Sequence, residues 1–355
     1  MRIRSVVWNA RERRPRAPVR LLLAVVLVLA SLVLFSVAFN AVAPVNPSLP
    51  ALVVLAAGGS AMPGLAVLAA ARLLDRRTVA DLGLGFDGDW WIDLAFGLLL
   101  GAGLMTAIFL VALLAGWVRV DGTFATGPTV GSFAVGMAVL TLQFVVVGFA
   151  EELVARGYLL TNVAEGLEAY LSDRAAVAVA VVVSSLVFGV AHLSNPNATL
   201  LSTLGISLAG VFLASGYVLT GELAIPVGLH ITWNLFQGGV YGFSVSGLGI
   251  DTSVVATTET GPDAVTGGAF GPEAGALGVG AVLLGTALVV SYVRVRYGSA
   301  GVSSALLRPD LRWREEATSA ETAESAEQDE SAEDATGERR PADAPVTDAP
   351  DEDRR

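Results

Sequence analysis

The 355-residue chain has no cysteine, no lysine and only two histidines, His192 and His230. Without cysteine there is no disulfide, no thiolate nucleophile and no Cys-ligated zinc. With two histidines, a three-histidine metal site is excluded as well. Charge is scarce: 15 % of residues are charged, against about a quarter in an ordinary soluble domain. What is abundant is apolar, with 54 % hydrophobic residues and a mean hydropathy of +0.64. These residues lie in long blocks. The expected fold is therefore all-α: a polytopic membrane protein with about eight transmembrane helices around a central polar cavity. Its surroundings are a lipid bilayer, and nucleic acid is not an expected partner.

The formal net charge of −11 belongs to one segment. Residues 315–355 hold fifteen acids and four arginines, and the rest of the chain balances to zero. An acidic, lysine-free polar surface suits a halophilic organism, where salt screens self-repulsion, and GC-rich codon usage explains arginine over lysine equally well.

Residues 1–18 form a basic segment, with seven arginines among the first twenty residues. The apolar run at 21–42 is too long for a typical signal-peptide core and reads as a retained first span. Further spans are expected near 51–71, 93–117, 131–155, 175–193, 199–219, 224–243 and 274–293. The transmembrane domain thus covers 19–298. Arg72, Arg76, Arg77, Arg156, Arg174, Arg294 and Arg296 fall at one set of span ends, and only Arg119 falls in the opposite loops. The bias predicts a multi-pass plasma-membrane protein with both termini cytoplasmic. The loop 244–273, rich in Gly, Thr and Asp, is expected to be flexible. The segment 299–355, with almost nothing to bury beyond its first residues, is expected to be an acidic disordered tail.

Three short patterns carry possible chemistry. Glu151-Glu152-x-x-x-Arg156 lies within or beside an apolar run, where charge is costly and usually functional. Glu152 and Arg156 share a helix face in the favoured order for an ion pair, whereas Glu151 points about 100° away. Phe188-x-x-x-His192 closes a later run. His230-x-x-x-Asn234 puts an imidazole and a carboxamide on one face of another. Taken singly, each has a structural explanation: a boundary ion pair, or a packed histidine. Taken together, a carboxylate, two imidazoles and an amide make up a hydrolytic site, with a base for water and donors for an oxyanion. Glu151, His192 and His230 are also a candidate three-ligand zinc set with one open position.

The ordered trio resembles the signature of the CPBP (Abi, type II CAAX prenyl endopeptidase-like) intramembrane metalloproteases. All seven signature positions match: Glu151, Glu152, Arg156, Phe188, His192, His230 and Asn234. Asp81-Leu82-Gly83-Leu84 and Gly221-Glu222-Leu223-Ala224-Ile225-Pro226 also look familial, and the core of the resemblance spans about 138–243. The resemblance implies an intramembrane endopeptidase, a hydrolase acting on a membrane-associated peptide or protein, with CAAX-type prenylated tails among the substrates. It assigns water activation to Glu151 completed by His192, helix support to Glu152 with Arg156, and oxyanion stabilisation to His230 and Asn234. Zinc is a cofactor candidate, and a glutamate mechanism without metal is equally open. Two other classes are compatible with these residues: a non-catalytic bacteriocin-immunity-like or scaffold protein of the same fold, and a proton-coupled transporter. One geometric tension stands. His230 follows the turn at 220–223 by only about eight residues, so straight spans leave it nearer the membrane boundary than Glu151 and His192. A long or kinked fourth span, bending near Gly148, would relieve this.

Overall fold

The computed structural model describes residues 7–42, 49–127 and 130–314. It is 71 % helical and contains no closed sheet. The main helices are α1 (Ala17–Val42), α2 (Leu49–Ala70, continued by a π-helical turn Ala71–Asp75), α3 (Gly88–Leu114), α4 (Phe133–Leu167), α5 (Asp173–Ala191), α6 (Leu200–Thr220), α7 (Ala224–Asn234, continued by a π-helical turn Leu235–Val240) and α8 (Ala276–Tyr297). Among the described residues seven of these, all but α7, are long and apolar enough to cross a membrane. The protein is an all-α polytopic membrane protein.

The segment expected as the seventh of eight spans is α7, and it differs from the others. Its first 11 residues, Ala224 to Asn234, are all buried. A helix apolar all round needs neighbours on every side. Here α3, α4 and α6 supply them. The approach of α3 is very close because glycines face it. A Cβ on Gly97 would stand 2.3 Å from Ile225 O, and one on Gly101 would stand 2.4 Å from Leu229 O. Gly97-x-x-x-Gly101 is a small-residue helix interface, in which backbones approach until dispersion holds them.

The fourth span is long, as the geometry required: Phe133–Leu167 is one continuous 35-residue helix. Its irregularity is not at Gly148. The chain is α-helical to Glu152 and π-helical over Leu153–Leu160. Gly148 instead admits α7, since a Cβ there would lie 2.6 Å from Ile231 Cγ1. The widened π turn leaves carbonyls without their usual helical donors. Ser184 Oγ donates to Ala155 O at 2.6 Å, and Thr161 Oγ1 donates to Arg156 O at 3.3 Å.

The loop expected to be flexible is structured. Its Ser253–Glu259 segment (β4) pairs antiparallel with β3 (Val118–Ala125), with a bulge between Val120 and Gly122. The run Ser-Val-Val-Ala-Thr-Thr-Glu is rich in β-branched residues and finds a similar partner in Val118-Arg-Val-Asp-Gly-Thr-Phe. Near the N-terminus, β1 (Trp8–Asn9) and β2 (Arg14–Pro15) form a minimal hairpin.

Four arginines read as a basic flank or as span ends are internal: Arg156 on α4, and three more that form a separate cluster. Arg14, Arg20 and Arg77 are almost fully buried, in a network with Asp75, Asp81 and Glu165. Arg20 Nε lies 3.0 Å from Asp75 Oδ1, Arg14 Nη2 lies 2.6 Å from Glu165 Oε1, and Arg77 reaches both Asp81 and Glu165. Tyr158 Oη donates to Asp75 Oδ2 at 2.8 Å. Excellent geometry and full hydrogen bonding are what make buried charge tolerable. The described residues fall into two units that part after Asp310. Of the second, 311–314 are described, and there the Arg314 guanidinium sits 5.4 Å from the Trp313 ring centroid. The tail expected to be disordered from 315 onward lies outside the described residues.

Two outcomes follow for the fold. Gly97→Val forces a branched side chain against the α7 backbone, and a fall of several degrees in the thermal midpoint in detergent is expected. An unchanged midpoint would contradict the close α3–α7 contact. The second concerns Glu259 and Glu273, whose carboxyls burial pushes up to about 7. In the unfolded chain they ionise near 4.5. The folded segment thus holds protons that the unfolded one releases, so their stabilising contribution is full below about pH 4.5 and lost as pH rises through about 7. Hydrogen exchange across 244–275, corrected for intrinsic rates, should show opening that grows between about pH 5 and pH 8. Opening that is flat over this range would remove the linkage.

Candidate active site

Glu151 and Glu152 lie near the midpoint of α4, at the junction of its α and π portions. They have different environments. Glu152 is fully buried, and its Oε1 accepts from Arg156 Nη1 at 2.8 Å and from His230 Nδ1 at 2.8 Å. Arg156 is fully buried as well. Its Nη2 donates to Gly210 O at 2.9 Å, and its guanidinium carbon stands 4.5 Å from the Phe188 ring centroid. The pair is thus tied to α6 by a hydrogen bond and to α5 by a cation–π contact. Glu151 remains 36 % exposed and forms no pair with arginine. Glu152 is thus the glutamate paired with Arg156, and Glu151 is the one that faces the cavity.

Both histidines converge on Glu151. His192 Nε2 lies 4.0 Å and His230 Nε2 3.9 Å from the same oxygen, Oε2. Each imidazole uses its other nitrogen to fix its plane: His192 Nδ1 donates to Phe188 O at 2.8 Å, and His230 Nδ1 to Glu152 Oε1. Nε2 is therefore the atom each presents to Glu151. Phe188 packs between them, its ring centroid 4.9 Å from that of His192 and 6.0 Å from that of His230. Asn234, one turn beyond His230, lines the same space. All seven residues singled out in the sequence are brought together.

Glu151, Phe188, His192, His230 and Asn234 line a cavity of about 570 Å³ among α4, α5, α6 and α7, with walls that are mostly apolar, and Glu152 and Arg156 lie behind its wall. The polar groups that sequence reading left out are Ser60, Gln143, Asn195, Ser246 and Glu273. Gln143 Nε2 donates to Ser60 Oγ at 2.8 Å. Gln143 carried a signal, because it is a polar residue inside the same apolar run, about two turns before Glu151. Ser246 and Glu273 carried none, since they belong to the segment read as flexible.

The depth tension resolves through the turns. Leu223 N donates to Gly83 O at 2.8 Å, so the two family-like turns at 81–84 and 221–226 pack on each other. Gly83 has φ +80°, and a Cβ there would meet Leu223 N at 2.8 Å. At the same level Tyr217 and Thr161 join their hydroxyls at 2.8 Å. The helix α4 thus runs past this level by its last turns, 162–167, and the Arg14–Arg20–Arg77 network closes over that extension. The turn before α7 lies inside the bundle, and eight residues from it suffice to bring His230 beside Glu151.

A metal was expected as a candidate here. The donor types suit one, since an imidazole with Nδ1 engaged and Nε2 presented is the pattern of a metal-binding histidine. The spacing does not. Donors on a tetrahedral zinc are about 3.4 Å apart, and these are at 3.9 and 4.0 Å. Among the described residues no three His, Asp or Glu are arranged to hold a metal ion. A gap of this size is too wide for a direct hydrogen bond and matches one bridged by water.

Comparison with curated proteins and with solved structures gives no match. Residues 132–236 match a family model described as Type II CAAX prenyl endopeptidase Rce1-like. That range begins at the start of α4 and ends just past Asn234, so it encloses every residue of the cluster around Glu151. This segment is similar to the Rce1-like type II CAAX prenyl endopeptidase family, consistent with the wider CPBP group.

Proposed function

We propose that the protein is an intramembrane endopeptidase that hydrolyses a peptide bond of a membrane-associated protein or peptide, CAAX-type prenylated tails included. The observation that carries this reading is the convergence of His192 Nε2 and His230 Nε2 on Glu151 Oε2. A water in that space donates one proton to Glu151 and directs its other O–H at the Nε2 lone pair of His192. Glu151 accepts the first proton as the water oxygen attacks the scissile carbonyl carbon. The carbonyl oxygen becomes an oxyanion. Asn234 donates to it from its amide without adding charge to an apolar cavity, and His230, held in plane by Glu152, presents Nε2 beside it. The C–N bond then breaks, and the proton held by Glu151 passes to the leaving amine. Glu152 touches no reacting atom. It neutralises Arg156 and holds His230 in plane. The exposed Arg72, Arg76, Arg174 and Arg294 keep the arginine bias after the internal ones are set aside, and support a plasma-membrane protein with cytoplasmic termini.

Cleavage of a panel of membrane peptides by the detergent-purified protein tests the reading, with and without a chelator. Glu151→Gln is expected to lower kcat by about 10³-fold and Asn234→Ala by about 10²-fold, both with unchanged thermal midpoints. Equal cleavage by wild type and Glu151→Gln would dismiss the site. Loss on chelation restored by zinc would show a metal at work. Arg156→Met leaves Glu152 buried without its cation, which costs about 3–5 kcal/mol, so a large fall in the thermal midpoint is expected. Removing both charges in Glu152→Leu/Arg156→Met should recover most of that stability while His230, deprived of its acceptor, stays inactive.

A further inference from the structure

The cavity holds a second buried carboxyl that the reaction above does not use. Glu273 is 5 % exposed, precedes α8 by two residues and lies outside the matched family segment. Its Oε2 accepts from Gln237 Nε2 at 2.5 Å, and its Oε1 accepts from Ser246 N at 2.6 Å and Ser246 Oγ at 3.0 Å. Each of these bonds leads to a histidine-bearing element. Gln237 is fully buried in the π-helical continuation of α7, seven residues beyond His230 and three beyond Asn234. Ser246 O accepts from Asn195 Nδ2 at 2.9 Å, and Asn195 N donates to His192 O at 3.1 Å. One carboxyl therefore closes a bridge from α7 to the end of α5: Gln237, Glu273, Ser246, Asn195, His192.

The surroundings are shaped for this bridge. Gly271 has φ +118°, and a Cβ there would come within 2.8 Å of both Gln237 Nε2 and Glu273 Oε2. A Cβ on Gly205 would lie 2.2 Å from Glu273 O, so α6 packs directly on the Glu273 backbone. Gln237 Nε2 also donates to Ser244 O at 2.6 Å, which fixes the amide. From the Glu151 side, His192 and His230 meet at that shared oxygen and at the Phe188 ring, and α5 ends at His192 as a cap residue rather than within a helix. The bridge through Glu273 adds a hydrogen-bonded tie between the two elements.

We infer that Glu273 is a positioning residue for the hydrolytic site, setting the spacing of His192 and His230 by joining their elements through Ser246–Asn195 and Gln237. This rests on the endopeptidase reading. A displacement of about 1 Å in a catalytic group costs about 10²-fold in rate. Glu273→Gln turns an acceptor toward Gln237 into a donor and breaks the bridge at that bond. The expected result, with a peptide that wild type cleaves, is a 10- to 100-fold fall in kcat and a KM within threefold of wild type. Asn195→Ala should give a similar fall, and adding it to Glu273→Gln should cost little more, because both cut the same bridge. The exchange Glu273→Gln/Gln237→Glu restores a donor–acceptor pair and should recover part of kcat. A Glu273→Gln protein with kcat within twofold of wild type overturns the inference while leaving the endopeptidase standing. So does a loss of rate matched by loss of folded protein, or one in which the two variants add fully. Absence of cleavage by wild type defeats the endopeptidase reading itself.

Discussion

A buried ion pair at the α–π junction of α4 governs the arrangement of the site. Glu152 and Arg156 are both fully shielded, and hydrogen bonds from Glu152 Oε1 and Arg156 Nη2 to other elements help to sustain the pair, although Glu152 Oε2 and Arg156 Nε have no hydrogen-bond partner. Those bonds draw in the rest of the molecule. Arg156 needs Gly210 O from α6 and the face of Phe188 from α5, and Glu152 needs the ring N–H of His230 from α7. Three helices are thereby fixed around the fourth, and the carboxylate next in sequence, Glu151, is left uncommitted among their polar groups. Satisfying a structural charge and exposing a chemical one are the same act of packing.

The other charged cluster works at a different level of the bundle. Arg14, Arg20 and Arg77 bind Asp75, Asp81 and Glu165 where α4 extends beyond its neighbours. That extension would otherwise expose the polar end of a long helix. The network lets the turn at 221–223 sit inside the protein, and this in turn sets how far α7 must travel before its histidine meets Glu151. The two clusters lie on the same helix, so the depth of the site and its composition have a common origin.

Much of this was legible from residue order. The seven residues of the three motifs assemble as expected, and the membrane-spanning helices follow their apolar runs, because hydropathy and i, i+4 spacing are local properties. Three features were not legible. The burial of Arg14, Arg20 and Arg77 depends on acids up to 151 residues away, and a basic flank looks the same whether it faces headgroups or carboxylates. The ordering of 244–273 depends on a partner strand across the bundle, though the β-branched run 253–258 was visible. The place of irregularity in α4 was read at Gly148, where a glycine permits close approach, while the π turn sits at 153–160, where Ser184 and Thr161 reach its carbonyls.

The enclosure of α7 bears on how the protein is made. Its continuous helix is shorter than the other spans, its first 11 residues are wholly covered, and its fit against α3 relies on glycines that offer little to lipid. Such a segment gains nothing from partitioning alone and becomes stable only between helices already in place. His230 and Asn234 therefore arrive last. A nascent chain with α4 and α5 inserted has Glu151 and His192 but neither His230 nor Asn234, so the cluster around Glu151 is incomplete until α7 is enclosed.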